Sequence, residues 1–224
     1  MNRASHYFCS SIGKKQMMGL TGLAWCGFVL SHMLGNLLYL VGPAAYNAYG
    51  HALTGNKAFY YAAETGLLLT FMGHVFFALL VTLENRKARP VGYAVSANGG
   101  KGGASVSSRT MALSGMLTLV FVVLHLIKFR FGEYIPFSLE GKEIRDLHAL
   151  MTDVFQSAGY VVWYVFAILI LGSHLSHALW SSLQTLSLIP AGKECALRCV
   201  SKLFGWGIAF GFIVNPIYIY FCKN

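Results

Sequence analysis

Residues 69–87 read LTFMGHVFFALLVTLENRK, an apolar run that ends in charge and carries one ionisable ring, His74, in its middle. The pattern recurs in GFVLSHMLGNL (27–37), LVFVVLHLIKF (119–129) and ILILGSHLSHALW (168–180). An imidazole inside a lipid-length segment costs several kcal/mol unless something satisfies it, so its repetition needs a reason. The surrounding composition agrees with lipid: of 224 residues 56% are hydrophobic and 11% charged, against about a quarter charged in a soluble domain.

A spanning helix needs about 20 mostly apolar residues. Five stretches qualify, at approximately 16–42, 58–83, 109–131, 157–184 and 203–221. The expectation is therefore an all-α integral membrane bundle of five transmembrane helices, a single domain over 1–224. The polar start, MNRASHYFCSSIGKKQ, reads as a lead into the first helix and not as a cleaved signal peptide. The linker NRKARPVGYAVSANGGKGGASVSS reads as a flexible basic loop, and SLEGKEIRDLHALMTD as a short amphipathic surface helix.

Basic residues set the orientation. Arg3, Lys14, Lys15, Arg86, Lys87, Arg89, Lys101, Arg109, Lys193, Arg198 and Lys202 fall on one side, with only Glu84 and Glu194 to oppose them. The other six basic residues face six acidic ones, so the whole net charge of +9 belongs to the first side. That side is expected to be cytoplasmic, with the N-terminus inside and the C-terminus outside. Its charge suits anionic lipid or an acidic protein partner; nucleic acid is not expected.

The five cysteines form no CxxCH, and Cys195 and Cys199 are four apart, so neither a covalent haem nor a zinc pair is indicated. Of the eight histidines, His6, His51 and His148 lie outside the spans and read as surface or loop residues. His32 and His125 lie ~9–15 Å below the outer surface, and His74 and His174 ~24–26 Å below it. Two levels, each with one imidazole from each of two helices, are what two stacked haems require: His32 with His125 for the outer, His74 with His174 for the inner. The second nitrogen of each ring is expected to donate to a carbonyl or hydroxyl one turn away. His177, three residues after His174, is either an alternative ligand or a propionate contact. Alternatives are histidines hydrogen-bonded between helices or lining a proton path in a haem-free transporter; zinc lacks further ligands. Gly35, Gly66, Gly73, Gly115, Gly159 and Gly172 suit a flat ligand or close helix packing equally. Glu64 stands near the outer level, as a quinone or proton site or as an interfacial carboxylate in water.

SSIGKKQMMGLTGL (10–23) and SHMLGNLLYLVGPAAYNAYGHAL (31–53) resemble the dihaem cytochrome b anchor of succinate:quinone oxidoreductases, the bacterial succinate dehydrogenases and fumarate reductases. DLHALMTDVFQSAGYVVWYVFAILILGSHLSHALWSSLQTLSL (146–188) and NPIYIYF (215–221) resemble its remainder. The resemblance implies two b haems held by His32, His74, His125 and His174, with first paired to third and second to fourth, and His177 not a ligand. It implies a bacterial inner-membrane subunit docked on its cytoplasmic face to an iron–sulfur subunit, which joins a flavoprotein. It implies a quinone, usually menaquinone, reacting near the outer haem, with Glu64 and His51 as candidate contacts. Some members carry an acidic residue two before the fourth ligand for proton transfer; here it is Gly172. A dihaem anchor of another dehydrogenase, such as a hydrogenase or formate dehydrogenase, is the nearest rival.

Overall fold

A computed structural model describes residues 7–88 and 109–223. Helix α1 (Ser11–Leu37) starts where the Ser10 hydroxyl accepts from the Gly13 amide, and a 3-10 turn, Leu38–Leu40, extends it. Gly42 (φ 132°) reverses the chain in a conformation open to glycine, and Pro43 begins α2 (Pro43–Gly55). Asn56 caps α3 (Lys57–Lys87). Helix α4 (Met111–His125) passes at its histidine into a π-helical turn, Leu126–Arg130. An antiparallel hairpin follows, β1 (Pro136–Leu139) and β2 (Lys142–Arg145), turned by Glu140 and Gly141, both at positive φ. Helices α5 (Leu147–Phe155), α6 (Ala158–Thr185) and α7 (Glu194–Cys222) complete the chain.

Five helices are long and apolar enough to cross a membrane: α1 with its 3-10 turn, α3, α4 with its π turn, α6 and α7. The protein is a multi-pass membrane protein with an all-α bundle. The spans alternate in direction, giving a basic end at the start of α1 and a hairpin end at the start of α3. The start of α7 is nine residues earlier than expected from the sequence. Its first turns carry Glu194, Arg198 and Lys202, which a hydropathy reading excludes but whose stems a helix end at the interface accommodates.

The expected amphipathic surface helix is corrected in two ways. Its first half is the hairpin. Its second half is α5, whose Leu150, Met151, Val154 and Phe155 are buried against Tyr39, Tyr164 and Ile219. Helix α2 was not anticipated. Asn47, 1% exposed, joins the two: its amide donates to Asp146 (2.8 Å), and its oxygen accepts from the Leu147 and His148 amides (2.9 and 3.1 Å). Together they form a lid over the hairpin end.

His148, expected in a loop, is half-buried in this lid and stacks on Tyr39 with centroids 4.1 Å apart. Burial lowers its pKa from the ordinary 6.5; Asp146 opposes the shift and Lys223 adds to it. The unfolded chain therefore takes up a proton below about pH 6.5 that the folded lid resists, and stability falls as pH drops through that value. Thermal unfolding in detergent should show a lower Tm at about pH 5.5 than at about pH 7.5, with a smaller drop for His148→Gln. An equal drop in both proteins removes His148 as the cause.

At the bundle's centre α1, α6 and α7 pack closely through Cys26, Val29, Met33, Leu175 and Ile208. Helix α3 packs mainly along α1, and α4 along α6. Each buries a single core side chain, Val81 and Phe121 respectively. Their remaining apolar residues, among them Leu68, Met72, Phe76, Leu113 and Met116, are exposed as a lipid-facing surface is. Ion pairs tie the ends: Lys14 to Glu84 at the basic end, and Arg130 to Glu64 at the hairpin end.

Candidate functional site

The helix registers place the four span histidines at two heights. His32 is five residues from the end of α1 and His125 five from the end of the π turn; His74 and His174 are seventeen and sixteen residues into α3 and α6. At 1.5 Å per residue the levels stand roughly 15 Å apart.

At the upper level His32 and His125 face each other with centroids 5.9 Å apart and planes at 83°. Phe28 stacks on His32 at 5.4 Å and Phe212 lies 5.6 Å away. Phe121 and Phe129 flank His125 at 5.8 and 5.1 Å. The Tyr164 hydroxyl lies 3.3 Å from His125 Nδ1. Asn36 sits over the other ring, its Nδ2 3.4 Å from His32 Nδ1 while donating to the His32 carbonyl at 2.8 Å. Tyr46 donates to Asn36 Oδ1 (3.0 Å), and Asn215 of α7 donates to the Asn36 carbonyl (2.7 Å), one of the acceptors a helix end leaves open.

At the lower level His74 Nδ1 donates to the Met18 carbonyl, 3.1 Å away, with Thr21 Oγ1 at 3.4 Å. Its ring lies against Gly22, where a Cβ would come within 3.0 Å of Cε1. His174 Nδ1 lies 3.0 Å from Ser114 Oγ. That hydroxyl already gives its proton to the Met111 carbonyl, so it accepts from Nδ1–H. Gly115 lies against the same ring. His74 and His174 are within electrostatic reach of each other, as are His32 and His125.

Nδ1 is thus engaged in His74 and His174 and faces a hydroxyl in His125, which leaves Nε2 with its lone pair for a metal. No ring has the anticipated carbonyl or hydroxyl one turn away: the group one turn from His32 is Asn36 Nδ2, itself a donor. At the other three rings the groups come from neighbouring helices: the Met18 carbonyl of α1, the Ser114 hydroxyl of α4 and the Tyr164 hydroxyl of α6. Tyr164, Ser114, Met18 and Gly22 were not singled out in the sequence; the small-residue pair Ser114–Gly115 was the one visible signal.

The donor set fits a planar macrocycle. Among the described residues no three His, Cys, Asp or Glu gather as an all-protein metal site. A haem asks the protein for only two ligands. His32 and His125, facing each other at 5.9 Å from α1 and α4, are a pair that would hold one such group.

The remaining candidates fall elsewhere. His177 lies near Arg198 of α7 as well as His174. His51 is on the exposed face of α2. Glu64 is bound by Arg130 (Nε 2.7 Å, Nη2 3.4 Å) and by the Tyr60 hydroxyl at 3.2 Å, so it is an ion-paired carboxylate and not a lone one. Gly172 is buried where α6 crosses α7, and a Cβ there would meet Ala209 Cβ at 2.7 Å. A longer acidic side chain has no room at that position. All five cysteines are free. His6, Arg3, Arg89, Lys101 and the rest of the linker over 89–108 lie outside the described residues; its first residues, 85–87, belong to α3. No family model matches the chain, and neither a curated protein nor a solved structure matches it.

Proposed function

We propose that this chain is the membrane anchor and electron-relay subunit of a succinate:quinone oxidoreductase. It passes electrons between menaquinone or menaquinol and an iron–sulfur subunit through two b haems. The observation that carries the reading is the arrangement of four histidines in two levels, with groups on neighbouring helices at Nδ1 of His74, His125 and His174. His32 and His125 would hold the outer haem; His74 and His174 the inner. When bound, each haem would supply reversible one-electron chemistry.

The chain's own residues supply orientation and exclusion of water. Met18, Ser114 and Tyr164 fix ring tautomers, and a hydrogen bond to the second ring nitrogen makes the first a better donor. Phe28, Phe121, Phe129 and Phe212 wall the upper pair from water. The chain makes no bond to succinate or fumarate. The basic end, read as cytoplasmic in a bacterial inner membrane, would receive the iron–sulfur subunit and through it the flavoprotein.

A reduced-minus-oxidised spectrum of the purified protein with a pyridine haemochrome count tests this. Two b haems per chain are expected. A colourless protein from membranes with adequate haem supply ends the relay reading in favour of a proton-coupled transporter.

A further inference from the structure

Two adjacent residues, Arg145 at the end of β2 and Asp146 at the start of α5, tie together the two helices that carry the upper histidines. The Arg145 side chain makes four hydrogen bonds, all to backbone. Its Nη2 donates to the Gly132 carbonyl (2.8 Å) and the Glu133 carbonyl (2.9 Å), its Nε to Glu133 again (3.3 Å), and its Nη1 to the Arg130 carbonyl (3.4 Å). Among the described residues it pairs with no carboxylate. The Arg130 carbonyl is one of the acceptors that a helix end leaves open, and Gly132 and Glu133 follow it directly.

The π turn stands between this clamp and His125. It starts at the residue after His125, and the Phe131 amide reaches back five residues to the Leu126 carbonyl. Such turns are rare and carry one residue more than the α ladder, so they persist where their surroundings hold them. Phe129, within the turn, packs on the His125 ring at 5.1 Å, and Arg130 at its end pairs with Glu64 of α3. Rewinding the turn to α geometry would rotate α4 against the hairpin by roughly 100°, the angle of one residue. His125 lies on the helix side of that rotation.

On its other side the junction reaches His32. The Asp146 carboxylate accepts from Asn47 Nδ2 (2.8 Å), and the Asp146 amide donates to the Ile135 carbonyl (2.7 Å). Beside Asn47 in α2, Tyr46 donates to Asn36 Oδ1, and Asn36 lies over the His32 ring. The two rings, with planes at 83°, thus sit on helices whose ends are fastened to neighbouring residues. A guanidinium fork serves three carbonyls at once, a geometry that the point charge of an ammonium does not reproduce. We infer that Arg145 is a positioning residue for the upper pair: by clamping the π turn it fixes the His125 ring relative to His32. The consequence for a haem held there rests on the proposed function; the clamp itself does not.

The test compares the full chain in detergent with Arg145→Met, which keeps the stem and removes every donor, and with Arg145→Lys. Low-temperature EPR of the ferric protein reads each level separately, because the largest g value of a bis-imidazole iron follows the angle between its ring planes. The His32→Ala/His125→Ala variant, which lacks the upper pair, assigns the signals. Arg145→Met should hold two haems and shift the upper signal alone; Arg145→Lys should shift it less. An unmoved upper signal overturns the inference. So does an equal shift of both signals or loss of both haems, the marks of general destabilisation. Hydrogen exchange reads the clamp without haem: the amides of residues 126–131 should exchange about ten-fold faster in Arg145→Met, with those around His74 unchanged. Equal rates at 126–131 overturn the inference whatever the haem content. If Arg145→Met does not fold, the same two readings on Arg145→Lys decide. A colourless parent ends the relay reading instead, and the exchange rates alone then decide the clamp.

Discussion

Replacing His125 by alanine should take the haem count from two per chain to one, and His32→Ala should remove the same haem. The pairing makes a sharper statement than the single variants. The double variant His32→Ala/His125→Ala should still hold one haem, because both ligands serve one iron. His74→Ala/His174→Ala should behave likewise. His32→Ala/His74→Ala should hold none, because it breaks one ligand in each level. Pyridine haemochrome counts on the five variants decide this. One haem surviving in the cross-level double would mean that the levels are mispaired. His177→Ala and His51→Ala should keep both haems, since the two levels are already filled by His32 with His125 and His74 with His174, and His51 is exposed on α2.

The second large effect is steric. At Gly205 a Cβ would run into Ser176 Oγ and N and the Gly172 carbonyl. Two of those atoms are backbone and cannot swing aside. Gly172 meets α7 in the same way, so the two glycines set how closely α6 and α7 approach, as small residues do between helices in lipid. Gly205→Val has to push the helices apart, at a cost of about 3 kcal/mol or more. Thermal unfolding in detergent should show a large fall in Tm. The inner haem should be lost as well, because His174 lies on the displaced helix. Gly207→Val, two residues on and facing open space, should leave both unchanged. Equal Tm values for the two variants would remove the crossing as a structural keystone.

The expected spans and the observed ones differ mainly at their ends, and the differences have one source. Hydropathy marks where lipid must be, while capping marks where the helix starts. The Ser10 cap therefore begins α1 five residues before the expected boundary; α7 begins at Glu194 without a side-chain cap, its charged first turn reaching beyond the apolar run. The lid was misread for another reason. The sequence 138–153 carries enough charge to suggest a surface, and the Glu140–Gly141 turn was a legible hairpin signal. The burial of α5 instead depends on Tyr39, Tyr164 and Ile219, which arrive from three other segments. For Glu64 the sequence leaves a quinone or proton site and an interfacial carboxylate both open, because the Arg130 that pairs with it is sixty-six residues away.

By itself the sequence determined the number of spans and the height of each histidine along its helix. Both follow from local quantities: apolar length against lipid thickness, and a fixed rise per residue. Tertiary structure alone decided what each ring touches. The spans are apolar on nearly every side, so no polar stripe in the sequence fixes their rotation. Rotation is set by side-chain packing and by groups such as Ser114, Met18 and Tyr164 meeting across helices, contacts between residues far apart in the chain.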